Sequence, residues 1–206
     1  MTVVRLAAKP LTTLLEDFRS SAPTPGGGSA AALAGALGAS LLTMVASLPK
    51  PQAATDKDLE RLRSIAERST ALAIELEALI DRDAEAYDDV IRAYRLPKGT
   101  DPEKAARQER IQAALEAAIE TPLAVMRACA AGAAQAPALL TLGNPNAASD
   151  VGVGLELLRA GLRGARLNVE INLTSVKDPG YVTATRREVE RLVSESGAAD
   201  APTGSA

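Results

Sequence analysis

The chain of 206 residues has no histidine and one cysteine, Cys129. Proton transfer must therefore fall to Asp, Glu, Lys, Tyr or Cys, and Ser-His-Asp, Cys-His and His-based zinc chemistry are excluded. Cys129 lies in an apolar stretch and reads as a buried structural thiol, since nothing could activate it. The most informative pattern is Pro23-Thr24-Pro25-Gly26-Gly27-Gly28-Ser29, running into the uncharged stretch Ala30–Leu48. The prolines end one helix, the glycines expose bare N–H groups, and the next helix begins behind them with its positive dipole end, an arrangement suited to an anion. Gly26, Gly28 and Ala31 match a dinucleotide-loop spacing, but no strand precedes them, and no lysine follows the glycines as a P-loop requires. Alone, the loop reads either as a tight turn between helices or as an N–H nest for a carboxylate or polarised carbonyl.

A second pattern is Asp81-Arg82-Asp83-Ala84-Glu85-Ala86-Tyr87-Asp88-Asp89. On a helix, Asp81, Glu85 and Asp89 share one face, and five acids in nine residues are most simply a solvated surface. No EF-hand glycine is present. Asp83 differs, because Ile80, Ala84, Tyr87 and Ile91 border it, so it should point inward. An inward carboxylate is costly unless paired or used. Further on, Ser149 and Asp150 read as helix-capping residues. Asn168 and Asn172 sit one turn apart within a helix, where Asn is disfavoured, and suggest buried hydrogen bonding, either between helices or to a ligand. Lys98, with Arg107 and Arg110, could hold a polyanionic tail or be plain surface charge.

These groups need elements to position them. Apolar residues make up 47 %, dominated by Ala and Leu, and aromatics only 2 %, which favours an all-α fold with closely packed helices. The periodicity predicts helices over 11–20, from the glycine loop to Leu48, 56–94, about 101–120, about 122–135, 150–172 and about 179–194, with Pro122 starting or kinking a helix. Residues 137–145 read as a break with one apolar turn. In the first helix, Leu11, Leu14, Leu15 and Phe18 share a face. The helix over 56–94 would span roughly 55 Å, past a single compact core, with a partner subunit burying the excess. The stretch Ala30–Leu48 nearly reaches membrane-span length, but its Ala, Gly, Ser and Thr content reads better as a buried core helix. One domain over residues 1–196, of about eight helices, and a disordered tail over 197–206 complete this reading. A net charge of −3 implies no general affinity for nucleic acid.

Together these residues resemble one family, the cyclodeaminase domain of formiminotransferase-cyclodeaminase with its stand-alone bacterial relatives, the methenyltetrahydrofolate cyclohydrolases. The resemblance rests on Pro23 to Ser29 with Ala31, Ala32, Leu33, Gly35, Ala36, Leu37 and Gly38, and on Met44-Val45-Ala46. It continues through Asp83-Ala84 with Tyr87, Leu96-Pro97-Lys98, Ser149-Asp150-Val151 and Asn168 to Asn172. It implies an all-helical cytoplasmic homodimer with a folate cleft near the glycine loop and no metal or redox cofactor. It also implies one of two reactions, hydrolysis of 5,10-methenyltetrahydrofolate to the 10-formyl form or ammonia loss from 5-formiminotetrahydrofolate. A folate-binding or structural dimer without catalysis is the remaining alternative. Asp83 is the expected base and Asp150 the second catalytic candidate. Gly26, Gly27, Gly28 and Ser29 are expected at the substrate through backbone N–H groups, with Tyr87, Asn168 and Asn172 beside them. Lys98 and Lys50 are candidates for the glutamate tail, Lys50 because Leu48-Pro49-Lys50-Pro51-Gln52 stands where relatives carry a Gly- and Lys-rich turn. Neither nucleic acid nor membrane is an expected partner.

Overall fold

The computed structural model describes residues 5–49 and 54–198. Seven α-helices form: α1 (Leu11–Arg19), α2 (Gly27–Ser47), α3 (Asp56–Tyr94), α4 (Asp101–Ala133), α5 (Ala136–Leu142), α6 (Ala148–Leu173) and α7 (Pro179–Ser196). No strand occurs among the described residues. α2 is the hub. It runs antiparallel to α3, with Ser29 against Ile80 and Thr43 against Thr70, and antiparallel to α6, with Gly27 near Asn168 and Gly38 near Leu158. α4 closes the bundle, with its Cys129 against Gly35 of α2 and Gly161 of α6. Cys129 is fully buried, and burial pushes its thiol up to about 12.

The helix starts follow local chemistry. Thr55 and Asp58 form a capping box on α3, as do Thr100 and Glu103 on α4, where Pro102 takes the first turn. Four boundaries differ from the sequence reading. α4 runs unbroken through the buried Pro122, merging two expected helices. Residues 136–142 form a true helix in place of a break. α6 begins at Ala148, behind a 3-10 turn at Pro145–Ala147, so Ser149 lies inside the helix instead of capping it. Gly197, assigned to the tail, ends α7 in the left-handed region at φ 61°, where glycine is favoured, and Ala198 is buried.

Two expectations about burial also change. In α1 only Leu14 is buried, while Leu11 and Leu15 remain exposed. The far end of α3 does pass the main core, but the chain covers it itself: Ala93 packs with Ile111 and Leu115 of α4 in a second small core. The strap before α1 is tied to α3 by Asp81, whose carboxylate accepts from the N–H groups of Leu6 and Ala7 and pairs with Arg5. α2 and a stretch within Asp101–Leu142 are long and apolar enough to cross a membrane, but 50 % and 56 % of those windows are buried inside the bundle. Packing against neighbouring helices accounts for that apolarity.

Candidate active site

Where α2, α3, α4 and α6 meet, a hollow of about 340 Å³ opens beside the glycine loop. Gly26 and Gly27 line one wall, Asp83 and Tyr87 of α3 another, Leu115 and Ala118 of α4 the third, and Asn168 and Asn172 of α6 the last. Six of the site residues expected from the sequence, Gly26, Gly27, Asp83, Tyr87, Asn168 and Asn172, line this hollow, scattered over almost 150 residues. Three larger grooves occur among the described residues; one of about 690 Å³ lies along α6 alone, from Ser149 to Arg163, and two lie between helices. The one of about 510 Å³ between α1, α2 and α3 has Lys9 and Glu77 as its charged groups, with Lys9 already paired to Asp17 at 2.6 Å. The other, between α6 and α7, has no cavity residue from the glycine loop or α3. None brings an inward acid to a ring of polar groups.

Asp83 is the centre of the hollow. Its Oδ2 accepts from the Ser29 backbone N–H at 2.8 Å, and the Ser29 hydroxyl lies 3.1 Å from the same oxygen. That hydroxyl also lies 2.9 Å from the Ile80 carbonyl, so its one proton is shared between the two acceptors. Burial holds the Asp83 carboxyl above its usual range, against the two Ser29 hydrogen bonds, which act to lower it. The carboxyl packs directly on the backbone of Gly28, where a Cβ would stand 2.0 Å from Oδ1. Glycine is required there by close approach.

This geometry corrects the expected roles of Gly28 and Ser29. Both are buried, and the Ser29 N–H serves the protein's own carboxylate instead of a substrate. The anion that the helix N-terminus holds is Asp83. Gly26 and Gly27 keep their place on the wall. Tyr87 is 40 % exposed at the rim.

The amides of α6 are anchored by their NH2 groups. Asn168 donates to Gly164 O at 2.9 Å and Asn172 to Ala118 O at 3.4 Å. The remaining candidates lie elsewhere. Lys98 is exposed in the turn after α3 and is not among the lining residues; the end of α3 is roughly 16 Å beyond Asp83 at ~1.5 Å per residue. Arg107 of the same cluster is spent on the Tyr94 carbonyl and ring. Asp150 stands in the first turn of α6, roughly 27 Å along the helix from Asn168, so one protomer does not bring it to the hollow. Lys50 lies outside the described residues. No cluster of three or more Asp, Glu or Cys that could hold a metal occurs among the described residues.

Comparison with known proteins gives the chain's relatives. A family model described as formiminotransferase-cyclodeaminase matches residues 10–191. A methenyltetrahydrofolate cyclohydrolase of Methylorubrum extorquens is 42 % identical over 191 residues, covering 91 % of this chain and 90 % of that protein. The formimidoyltransferase-cyclodeaminase of Sus scrofa is 31 % identical over 93 % of this chain, which spans only 35 % of that longer protein. A formiminotetrahydrofolate cyclodeaminase from Thermotoga maritima superposes with a TM-score of 0.81 at 26 % identity, covering 92 % of this chain and 90 % of that one.

Proposed function

The chain belongs to the formiminotransferase-cyclodeaminase family, and from that premise we propose that it hydrolyses 5,10-methenyltetrahydrofolate to 10-formyltetrahydrofolate. One observation carries the reading: a buried carboxyl, Asp83, clamped through a single oxygen, faces the same hollow as Gly27, Asn168 and Asn172. The cyclohydrolase relative is 42 % identical to this chain, against 31 % and 26 % for the two cyclodeaminases, which favours hydrolysis over deamination.

The methenyl bridge is a cationic amidinium. The Asp83 carboxylate stabilises it and takes a proton from a water that attacks the bridge carbon. Ser29 occupies Oδ2, so Oδ1 is the working oxygen. The neutral adduct then collapses. Its C–N5 bond breaks, the carbon–oxygen bond becomes the formyl carbonyl, N5 takes the proton held by Asp83, and the adduct's hydroxyl proton leaves to solvent. A carboxyl raised by burial suits both halves of this exchange near neutrality. The reaction needs no metal and no redox cofactor. Tyr87 at the rim and, beyond it, the exposed Lys98 are the candidates for contact with the aminobenzoyl-glutamate part.

A cytoplasmic homodimer fits this reading. Val153, Leu157, Ala160, Gly164, Leu167 and Ile171 form a continuous stripe at alternating spacings of four and three along α6. Leu167 is 66 % and Ile171 65 % exposed, with Val153 at 54 %. The α6 stripe reads the same from both ends. An antiparallel copy would pair Val153 with Ile171, Leu157 with Leu167 and Ala160 with Gly164, the self-complementarity of a two-fold contact.

The test is direct. Protein mixed with 5,10-methenyltetrahydrofolate should accelerate loss of the substrate's absorbance well beyond the spontaneous rate. Tight binding without acceleration would favour a non-catalytic folate protein, and no binding would end both folate readings. Faster turnover of 5-formiminotetrahydrofolate would move the assignment to the cyclodeaminase.

A further inference from the structure

Pro122 sits in the middle of α4, where proline is disfavoured because it lacks an N–H and crowds the carbonyl four residues earlier. That carbonyl belongs to Ala118, which lines the hollow. Deprived of its helical donor, Ala118 O takes one from another helix, the NH2 of Asn172 at 3.4 Å. The geometry therefore settles which way the Asn172 amide faces, because a carbonyl can receive its NH2 but not its oxygen. Asn168, one turn earlier, is oriented in the same sense by its NH2 on Gly164 O. Neither amide oxygen has a donor among the described residues, although both side chains line the hollow.

We propose that Pro122 sets the ligand preference of the hollow, by holding the Asn172 NH2 on the Ala118 carbonyl so that the Asn172 and Asn168 oxygens stand as paired acceptors for N–H groups of the bound ring. With the Asp83 carboxylate opposite, the two amide oxygens and Asp83 Oδ1 give the hollow three acceptors without a protein donor among the described residues, beside the Tyr87 hydroxyl at the rim. The ligand class is a flat nitrogen heterocycle that presents amino and ring N–H donors along one edge. The assignment rests on the folate reading for its choice of ring. Its structural half, the tether between Asn172 and Ala118, stands independently. Pro122 is here a positioning residue acting through Asn172.

The test compares pterin with lumazine, which replaces the 2-amino donor by a carbonyl, as isothermal-titration probes. The unaltered protein should prefer pterin by about tenfold, and Pro122→Ala should lose most of that preference, since Ala restores a helical donor to Ala118 and releases Asn172. The variant should keep its melting temperature, because a helix hydrogen bond is regained. With the natural substrate its KM should rise several-fold while kcat is held. Amide NMR of the unaltered protein reads the tether without any ligand: the Asn172 side-chain NH2 should exchange slowly, and rapidly in Pro122→Ala. Equal affinity for the two rings, or an unchanged preference in the variant, overturns the acceptor assignment. Rapid exchange of the Asn172 NH2 in the unaltered protein overturns the tether. Binding of neither ring overturns the folate reading and the ligand half with it, while the exchange measurement still judges the tether.

Discussion

At the scale of single residues, the proposed reaction turns on how one carboxyl is held. Ser29 offers Asp83 two hydrogen bonds to the same oxygen, while Gly28 lets that carboxyl lie flat on the α2 backbone. Asp83→Asn keeps an oxygen for the Ser29 N–H but no basic site. It should reduce turnover by a factor of about 10²–10⁴ with an unchanged circular dichroism spectrum. Near-normal turnover in that variant would remove Asp83 from the base role. Gly28→Ala should be nearly as inactive, because its new methyl occupies the place of the carboxyl. The direction of the Asp83 shift has two further consequences. Turnover requires the ionised form, so the acid limb of the rate profile should lie above the ordinary carboxylate value of about 4. The raised pKa also means that the folded state holds a proton the unfolded chain has released. The stability it contributes is complete below the unfolded pKa and is lost as pH rises through the folded one. Urea midpoints measured across that interval should fall in the unaltered protein, and the drop should be smaller in Asp83→Asn.

At the scale of elements, the site depends on how closely α2, α4 and α6 approach. Gly161 of α6 lies against Ala31 O and the Cys129 Sγ, with an added Cβ at 2.8 and 3.0 Å from them. Gly161→Ala should therefore push the helices apart, costing about 1–3 kcal/mol by overpacking. At roughly 2–4 °C per kcal/mol for a chain of this size, calorimetry should show a melting point lower by several degrees. The acid limb of the rate profile should stay in place, because Asp83 is held by Ser29 and not by that crossing. Much of this architecture was legible beforehand. The 56–94 helix and the inward face of Asp83 follow from spacing alone. What escaped depends on distant partners. A proline in an apolar stretch looks like a boundary until Asn172 supplies the missing donor from α6. Likewise the glycine loop looks like a ligand's anion site until Asp83, 54 residues beyond Ser29, fills it.

At the scale of the whole molecule, the apolar stripe on α6 and the hollow cannot be treated separately. Leu167 and Ile171 adjoin Asn168 and Asn172 along α6, so a second copy covering the stripe would lie next to the hollow. An antiparallel second copy centred near Leu162 would set its first α6 turn, with Asp150, beside the last turn of the first copy, close to Asn172. This would give Asp150 a role that its distance from the hollow in one protomer denies it. Leu167→Glu combined with Ile171→Glu puts like charges on both sides of a two-fold contact, where they repel. The double variant should elute as a folded monomer in size-exclusion chromatography and lose most activity. Complementation then separates a merely structural contact from a shared site. If Asp83→Asn and Asp150→Asn are each inactive, mixing them under subunit exchange forms hybrids in which one of the two hollows has both carboxylates intact. With random exchange half the dimers are hybrids, so activity should recover to about a quarter of the unaltered level. Were Asp150 to act within its own protomer, no hollow in the mixture would be complete, and the activity would remain at the background of the two variants.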